Sequence, residues 1–129
     1  MTARRIDAEG SVANAKMAEV RLDTGLADSP DAFNPAELLL AGITAFMIKG
    51  IERVTPMLDF SFSGVEVSLH AVRQDAPPRI VAVGYELVVD TDESDQRLEL
   101  LHKNVPKYGT ISNTVAAAAR LDGAIRRKS

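Results

Sequence analysis

The sequence predicts a single α+β domain, residues 1–129, that contains an antiparallel sheet and a long central helix. Three observations predict this class. Several segments alternate apolar and polar residues, which is typical of half-buried strands. One segment near residue 40 is apolar over several helical turns and begins with a capping motif. The predicted elements run in the order strand, helix, two strands, two helices and strand, without the regular alternation of a parallel α/β fold.

The first strand is predicted at residues 15–24. Apolar and polar residues alternate there from Met17 to Leu22. Residues 25–33 are rich in Gly, Asp, Ser and Pro, so they predict a loop. This loop leads directly into the strongest helical signal of the chain.

The long helix is predicted to begin at Asn34 and to end before Pro56. Asn34 is a favoured N-cap residue, and Pro35 suits the first helical position. Glu37 follows the cap by three residues and can complete a capping box. Apolar residues then continue to Val54, and Pro56 predicts the end of the helix.

This helix is apolar or small on every face from Leu38 to Ile48. A chain of 129 residues has little surface with which to cover such a helix on all sides. We therefore expect the helix to be buried between two subunits of a homodimer.

Residues 60–73 and 79–90 predict a long antiparallel hairpin, because both segments alternate apolar and polar residues. The phase of the first segment changes at Gly64, which predicts a bulge. Residues 75–78 contain two prolines and predict the turn between the strands.

The C-terminal third predicts two helices and a strand. Thr91–Ser94 offers caps for a helix that reaches about Lys103, and Pro106 is expected to end or kink it. A second helix is predicted at residues 110–120. Leu121–Arg127 is expected to close the fold as a short strand.

Charge and hydropathy exclude two classes of partner. The net charge is −3, and the basic clusters are confined to Arg4-Arg5 and Arg126–Lys128, so we expect no nucleic-acid partner. The longest uncharged apolar run, Leu38–Ile48, has 11 residues. A membrane helix needs about 18 or more, so we expect no membrane association.

The chain contains no cysteine. It therefore has no disulfide, thiolate zinc site, iron–sulfur cluster or cysteine nucleophile. A cytoplasmic location fits this composition.

The remaining polar residues match no catalytic or metal-binding motif. His70 and His102 are the two histidines, and neither has a metal-ligand spacing, so we interpret both as surface residues. Ser61 and Ser63 lie within a strand pattern instead of a nucleophile elbow. The acidic run Asp90–Asp95 lacks the spacing of a calcium loop. The residues alone thus predict no catalytic group, no metal and no cofactor.

Two segments nevertheless carry a family signature. Asn34–Phe46 (NPAELLLAGITAF) resembles the central-helix signature of the OsmC/organic hydroperoxide resistance family. Lys107–Thr114 (KYGTISNT) is similar to that family's second signature, in which Cys-Pro precedes Val-Ser-Asn-Thr. The resemblance covers roughly residues 15–127. It implies an intertwined α+β homodimer with two active sites at the subunit interface and a role in the stress response.

The resemblance also implies a reaction, because complete members reduce organic hydroperoxides with two cysteines. One thiolate attacks the O–O bond and becomes a sulfenic acid, which then condenses with the second thiol. In this sequence the reactive cysteine falls on Phe46 and the resolving cysteine on Gly109, with Thr110 in place of the following proline. Phenylalanine and glycine cannot run this cycle, so we expect no thiol peroxidase activity.

Two further family positions also depart from the pattern. The glutamate that follows the Asn-Pro pair falls on Ala36, although Glu37 is adjacent. The arginine that steadies the thiolate in the family has two candidates here, Arg4 and Arg5.

These departures leave three hypotheses for a cleft whose candidate residues are Ala36, Glu37, Phe46, Tyr108, Gly109 and Thr110. The first is a non-catalytic dimer that binds a small apolar ligand in the former active-site cleft. The second is an enzyme of non-thiol chemistry that uses Ser112 or one of these polar residues. The third is a structural or regulatory dimer whose cleft is filled by Phe46. Ser112, Asn113 and Glu37 are each expected to cap a helix.

Overall fold

The computed structural model describes residues 1–129 with the exception of the Tyr108 side chain. By its internal contacts the chain divides into two compact units, Met1–Ala41 and Gly42–Ser129, and each has its own three-stranded sheet. Sheets and helices are mixed along the chain, which confirms the predicted α+β class.

The sheet of the first unit is an antiparallel meander of β1 (Thr2–Arg5), β2 (Gly10–Ala15) and β3 (Ala18–Asp23). The strand predicted at residues 15–24 is confirmed as β3, but it begins at Ala18 because a two-residue turn separates it from β2, and strands β1 and β2 were not predicted. Lys16 adopts a positive φ of 55° in this turn, and the Met17 side chain is fully exposed.

The turn between β1 and β2 is held by a carboxylate. Asp7 Oδ1 accepts hydrogen bonds from the backbone N–H groups of Glu9 and Gly10, at 2.9 and 3.0 Å. These two donors lower the pKa of Asp7 below its usual value. The Asp7 side chain thus accepts hydrogen bonds from the backbone of its own turn, an arrangement that aspartate favours.

Helix α1 spans Pro35–Leu58 and begins with the predicted capping box. It passes Pro56, so the prediction that the helix ends before this proline was wrong. Pro56 lies in the last turn, where its missing N–H removes only one hydrogen bond. The Thr55 hydroxyl donates to the Ile51 carbonyl at 2.8 Å, and the Phe60 N–H donates to the Thr55 carbonyl at 2.9 Å. Within the described part of the chain, no helix is long and apolar enough to cross a membrane.

One stripe of α1 is buried, at a spacing that keeps its side chains on a single helix face: Ile43, Met47, Ile51 and Val54. Another face is open, because Gly42, Ala45 and Ile48 are exposed. Outside the backbone of its own helix, no atom of the described residues lies within 4 Å of an ideal Cβ at Gly42. The expectation that every face is covered is therefore not met within one chain.

The sheet of the second unit contains β4 (Gly64–Asp75), β5 (Pro78–Asp90) and β6 (Arg120–Arg127). Strands β4 and β5 form the predicted antiparallel hairpin, but β6 pairs with β5 in parallel. The predicted bulge at Gly64 was misplaced. Gly64 begins the strand opposite Asp90, so residues 60–63 lie outside it, and the register shift occurs between Val72 and Arg73.

Two helices complete this unit. Helix α2 spans Asp95–Asn104, and its N-cap Ser94 accepts a hydrogen bond from the Arg97 N–H, as the capping pattern predicts. A 3₁₀ turn, Val105–Tyr108, leads to α3, Thr110–Ala116. Helix α3 is shorter than predicted because β-pairing with β5 begins at Arg120. The core combines apolar residues of β5, α2 and the 3₁₀ turn: Val83, Leu87, Val89, Leu98, Leu101 and Val105.

Candidate functional site

The two positions to which the resemblance assigns cysteines contact one another. Phe46 projects from α1, and Gly109 lies between the 3₁₀ turn and α3. An ideal Cβ at Gly109 would lie 2.7 Å from Phe46 Cδ1 and 3.3 Å from Cζ, and it would collide with Cε1. The backbone at Gly109 has φ −105° and ψ 125°, which any residue adopts. Glycine is therefore required here by the ring of Phe46 and not by the backbone.

Phe46 also forms part of the wall of a cavity of about 310 Å³. The cavity lies between α1, β5, the 3₁₀ turn, α3 and the start of β6. Most of its lining is apolar: Phe46, Met47, Leu87, Val105, Pro106, Ala116, Ala119 and Leu121. Three lining residues carry polar groups: Tyr85, Ser112 and Arg120. This arrangement has the composition of a small-molecule site, an apolar pocket with a few polar anchors.

Tyr85 reaches this wall because it points to the same side of β5 as Val83 and Leu87. A 2.6 Å hydrogen bond joins its hydroxyl to Nε2 of His102 on α2. The two rings meet edge to face with centroids 5.6 Å apart. Burial raises the pKa of Tyr85, and the carboxylate of Asp122 raises it further. The sequence did not indicate this pair.

His102 is therefore half-buried and bonded, and the interpretation of it as a surface histidine was wrong. It follows Leu98 by four residues, so it lies on the inward face of α2. This four-residue spacing from Leu98 was the feature of the sequence that could have predicted the inward position of His102. His70 is exposed, as expected. Among the described residues, no group of three or more His, Asp or Glu is arranged to hold a metal ion.

The two candidates of the first unit, Ala36 and Glu37, are exposed on the first turn of α1. The Asn34 N–H donates to Glu37 Oε1 at 2.9 Å, and the Glu37 N–H donates to Asn34 Oδ1 at 2.8 Å. This reciprocal pair is the predicted capping box. Arg4 and Arg5 lie on β1 and are exposed.

The remaining candidates lie around the start of α3. Thr110 is exposed, and its carbonyl accepts a hydrogen bond from the Thr114 hydroxyl at 2.8 Å. The Tyr108 side chain lies outside the described part of the structure. The expectation that Ser112 and Asn113 cap this helix was wrong, because both lie inside α3 and its N-cap is Gly109, without a side-chain cap. Ser112 is instead buried in the cavity wall.

The acidic run at the start of α2 is a structural network. Glu93 accepts a hydrogen bond from the Ser61 N–H at 2.7 Å and one from Arg97 at 3.3 Å. The Ser61 donor lowers the pKa of Glu93 most, and Arg97 lowers it further. Arg127 donates to the Glu93 carbonyl and to Asp95. These contacts join the loop before β4 and strand β6 to the start of α2.

Comparisons with known proteins agree with this geometry. The sequence model of the family described as OsmC-like protein matches residues 27–122. The crystal structure of an OsmC-like protein from Mycoplasma pneumoniae superposes with a TM-score of 0.88 at 14% identity, covering 99% of this chain and 95% of that one. The organic hydroperoxide resistance protein OhrB of Bacillus subtilis gives a TM-score of 0.66 at 17% identity, covering 97% and 95%. A search of curated proteins found no match.

The family match covers well over half of the chain, and the structural matches extend over nearly its full length. Both signature segments lie within the matched range. The protein therefore belongs to the OsmC-like family, as a member that contains no cysteine.

Proposed function

We propose that this chain is a non-catalytic binding protein that holds a small apolar ligand in the cavity beside Phe46. The observation that carries the proposal is the cavity itself, about 310 Å³ with a mostly apolar lining. This volume lies at the lower end of the range typical of ligand pockets, about 300–1,000 Å³. It is roughly twice that of an engineered cavity of about 150 Å³ that admits benzene.

The cavity favours binding over a filled cleft. The Phe46 ring occupies the space beside Gly109, yet it leaves the volume bounded by α3 and β5 open. An enzyme of non-thiol chemistry has less support. The Glu37 side chain is used in a capping box, and neither Glu37 nor Thr110 belongs to the described lining of the cavity.

A neutral apolar probe tests the binding function. We expect octan-1-ol to bind the wild-type protein in isothermal titration calorimetry. Ala116 lines the cavity, so Ala116→Phe should weaken this binding about tenfold or more by filling the volume. Ala118→Phe is the matched control, because Ala118 is also exposed and does not belong to the described lining. Absence of octan-1-ol binding at millimolar concentration would overturn the proposal.

A second assay tests the loss of the family reaction. Without a thiol the protein has no group that can attack the O–O bond of a hydroperoxide and be regenerated by a dithiol. We expect no turnover of an organic hydroperoxide above the no-protein control. Phe46→Cys combined with Gly109→Cys should restore some activity, since the two positions are in contact. Turnover by the wild-type protein would contradict the assignment.

We further propose that a second copy of the chain covers the open face of α1. Gly42, Ala45 and Ile48 are apolar or small and exposed, and Ile48 is 38% exposed. A dimer in light scattering is the expected result. Ile48→Arg should shift it toward monomer, whereas Leu100→Arg, at an equally exposed leucine on α2, should not. A monomeric wild-type protein would contradict this part of the proposal.

A further inference from the structure

A second cavity lies wholly within the Met1–Ala41 unit, where β3 ends and α1 begins. Its volume is about 390 Å³. Its described lining consists of six residues: Asp23, Asp28, Ser29, Pro30, Asn34 and Glu37. Three of these residues carry a carboxylate, and none of them is a cation. The charge of the cavity therefore favours a positively charged occupant.

Asp23, the last residue of β3, contributes a buried carboxylate that lacks a counter-charge. The residue is only 6% exposed. Its Oδ2 accepts one hydrogen bond, from the Ser29 N–H at 3.1 Å, whereas its Oδ1 is buried and has no partner among the described residues. A buried carboxylate in a folded protein is normally paired with a cation. Since the described residues supply no cation to Asp23, a molecule bound in the cavity is the available source of the positive charge.

The loop between β3 and α1 fixes this carboxylate at the buried side of the cavity. The Asp23 N–H donates to the Phe33 carbonyl at 2.8 Å, and Ser29 donates to the side chain, so two points of the loop are tied to one residue. The other two carboxylates, those of Asp28 and Glu37, belong to exposed residues. The cavity thus has one buried negative charge and two negative charges beside solvent.

The arrangement of the three carboxylates distinguishes an organic cation from a metal ion. Among the described residues, they do not form a group that could hold a metal ion. The volume is roughly two and a half times that of the cavity of about 150 Å³ that admits benzene, so it has room for an extended molecule. Because Ser29 already donates to Asp23 Oδ2, this carboxylate suits a compact ammonium group better than the paired donors of a guanidinium.

We propose that this cavity binds an organic diammonium ion. One ammonium group neutralises Asp23, and the second lies beside the exposed carboxylates of Asp28 and Glu37. Pro30, the apolar residue of the lining, packs against the alkyl chain that joins the two groups. This site does not rest on the function proposed for the cavity beside Phe46, because the two cavities have no lining residue in common.

Butane-1,4-diamine is the probe for this site, and butane-1,4-diol, which has the same chain and no charge, is the control ligand. We expect the diamine to bind the wild-type protein at millimolar concentration in isothermal titration calorimetry and to raise its Tm. The diol should do neither. Equal binding of the two compounds would overturn the proposal, since charge would then not be recognised, and so would the absence of diamine binding.

Asp23→Asn tests the buried carboxylate. It should weaken diamine binding about tenfold or more, because it removes a charge and keeps an acceptor for the Ser29 N–H. Asp31→Asn is the matched control, since Asp31 is an exposed carboxylate of the same loop that does not belong to the described lining. Its affinity for the diamine should equal that of the wild type. Unchanged binding in Asp23→Asn, or an equal loss in both variants, would overturn the proposal.

The stability of the ligand-free protein separates a binding role of Asp23 from a structural one. A neutral amide without a partner costs less to bury than a carboxylate does, so Asp23→Asn should raise the Tm in the absence of diamine. A lower Tm would show that the carboxylate stabilises the loop, and it would overturn the missing counter-charge. Calcium chloride provides the last comparison. Binding of calcium in place of the diamine would assign the cavity to a metal ion and overturn the ammonium site.

Discussion

Two glycines of the Gly42–Ser129 unit lie beneath aromatic rings, and they differ in what a side chain there would meet. At Gly109 the obstructing atoms belong to the outer edge of the Phe46 ring. At Gly123, on β6, they include the backbone carbonyl oxygen of Tyr85 as well as atoms of its ring. A side-chain obstruction can be removed by substitution, whereas a backbone obstruction is fixed by the pairing of β5 with β6. A substitution of Phe46 can therefore make room for a side chain at Gly109, whereas no substitution of Tyr85 can do so at Gly123.

The largest predicted effect is that of Gly123→Ala. The new Cβ would collide with the Tyr85 carbonyl oxygen, so β6 has to shift against β5. We expect the free energy of unfolding to fall by about 3 kcal/mol, measured by urea denaturation. Tyr85→Ala should not rescue it, because the carbonyl remains.

The control for this variant is Gly84→Ala on the neighbouring strand. An ideal Cβ at Gly84 lies 3.9 Å from its nearest neighbours, which is ordinary contact. It should therefore change stability by less than about 1 kcal/mol. Rescue of Gly123→Ala by truncation of Tyr85 would show that the ring, and not the backbone, limits this position.

Gly109→Ala should have a smaller effect that depends on Phe46. We expect a loss of about 1–2 kcal/mol, since the ring has to move by about an ångström to admit the methyl group, and a side chain can make that movement. In a Phe46→Ala background the same substitution should cost little. A double-mutant cycle should therefore give a favourable coupling of about 1 kcal/mol. Additive losses would mean that Phe46 and Gly109 do not constrain each other.

The sequence contained enough information to find one of these contacts but not the other. Phe46 and Gly109 were both singled out because the resemblance assigns the two thiols of the family to them. The Tyr85–Gly123 contact depends on parallel pairing of strands that are separated by two helices. Nothing in the local pattern of either strand specifies that pairing, because register between distant strands is set by tertiary packing.

The elements that the sequence failed to predict have local physical reasons. The turn at Lys16-Met17 contains no glycine or asparagine, so a residue with positive φ was read as part of a strand. Pro56 was read as a stop, but α1 continues two residues beyond it to Leu58, with the loss of one backbone hydrogen bond. The capped starts of α1 and α2 were predicted correctly, because Asn34, Glu37 and Ser94 act through neighbours in sequence.

The contributions of the Tyr85 ring and of its hydroxyl to stability can be measured separately. Tyr85→Phe keeps the ring over Gly123 and removes the 2.6 Å hydrogen bond to His102. We expect a loss of about 1 kcal/mol in urea denaturation, the usual net value of such a bond when its partner retains access to water. A loss as large as that of Gly123→Ala would mean that the hydroxyl organises the strand pair.

The smallest effect concerns pH, and it distinguishes the two rings because only tyrosine titrates. Burial and the Asp122 carboxylate raise the pKa of Tyr85 above its usual value of about 10. In a Tyr108→Phe variant, which leaves one tyrosine, the tyrosinate absorbance should therefore rise with a midpoint above that value in the folded protein. Asp122→Asn should move the midpoint down, and a midpoint at or below the usual value would contradict the burial of this hydroxyl.

The sign of the linked stability follows from the direction of the shift. Above the pKa of the unfolded chain, the unfolded state has lost the Tyr85 proton while the folded state still holds it. The contribution of Tyr85 is thus fully present below about pH 10, and it declines as pH rises through the higher folded pKa. Tyr85→Phe should remove this decline, whereas Phe46→Ala should leave it unchanged. If the pH dependence of stability persists in Tyr85→Phe, another group causes it. Titration would then not distinguish the Tyr85–Gly123 contact from the Phe46–Gly109 contact.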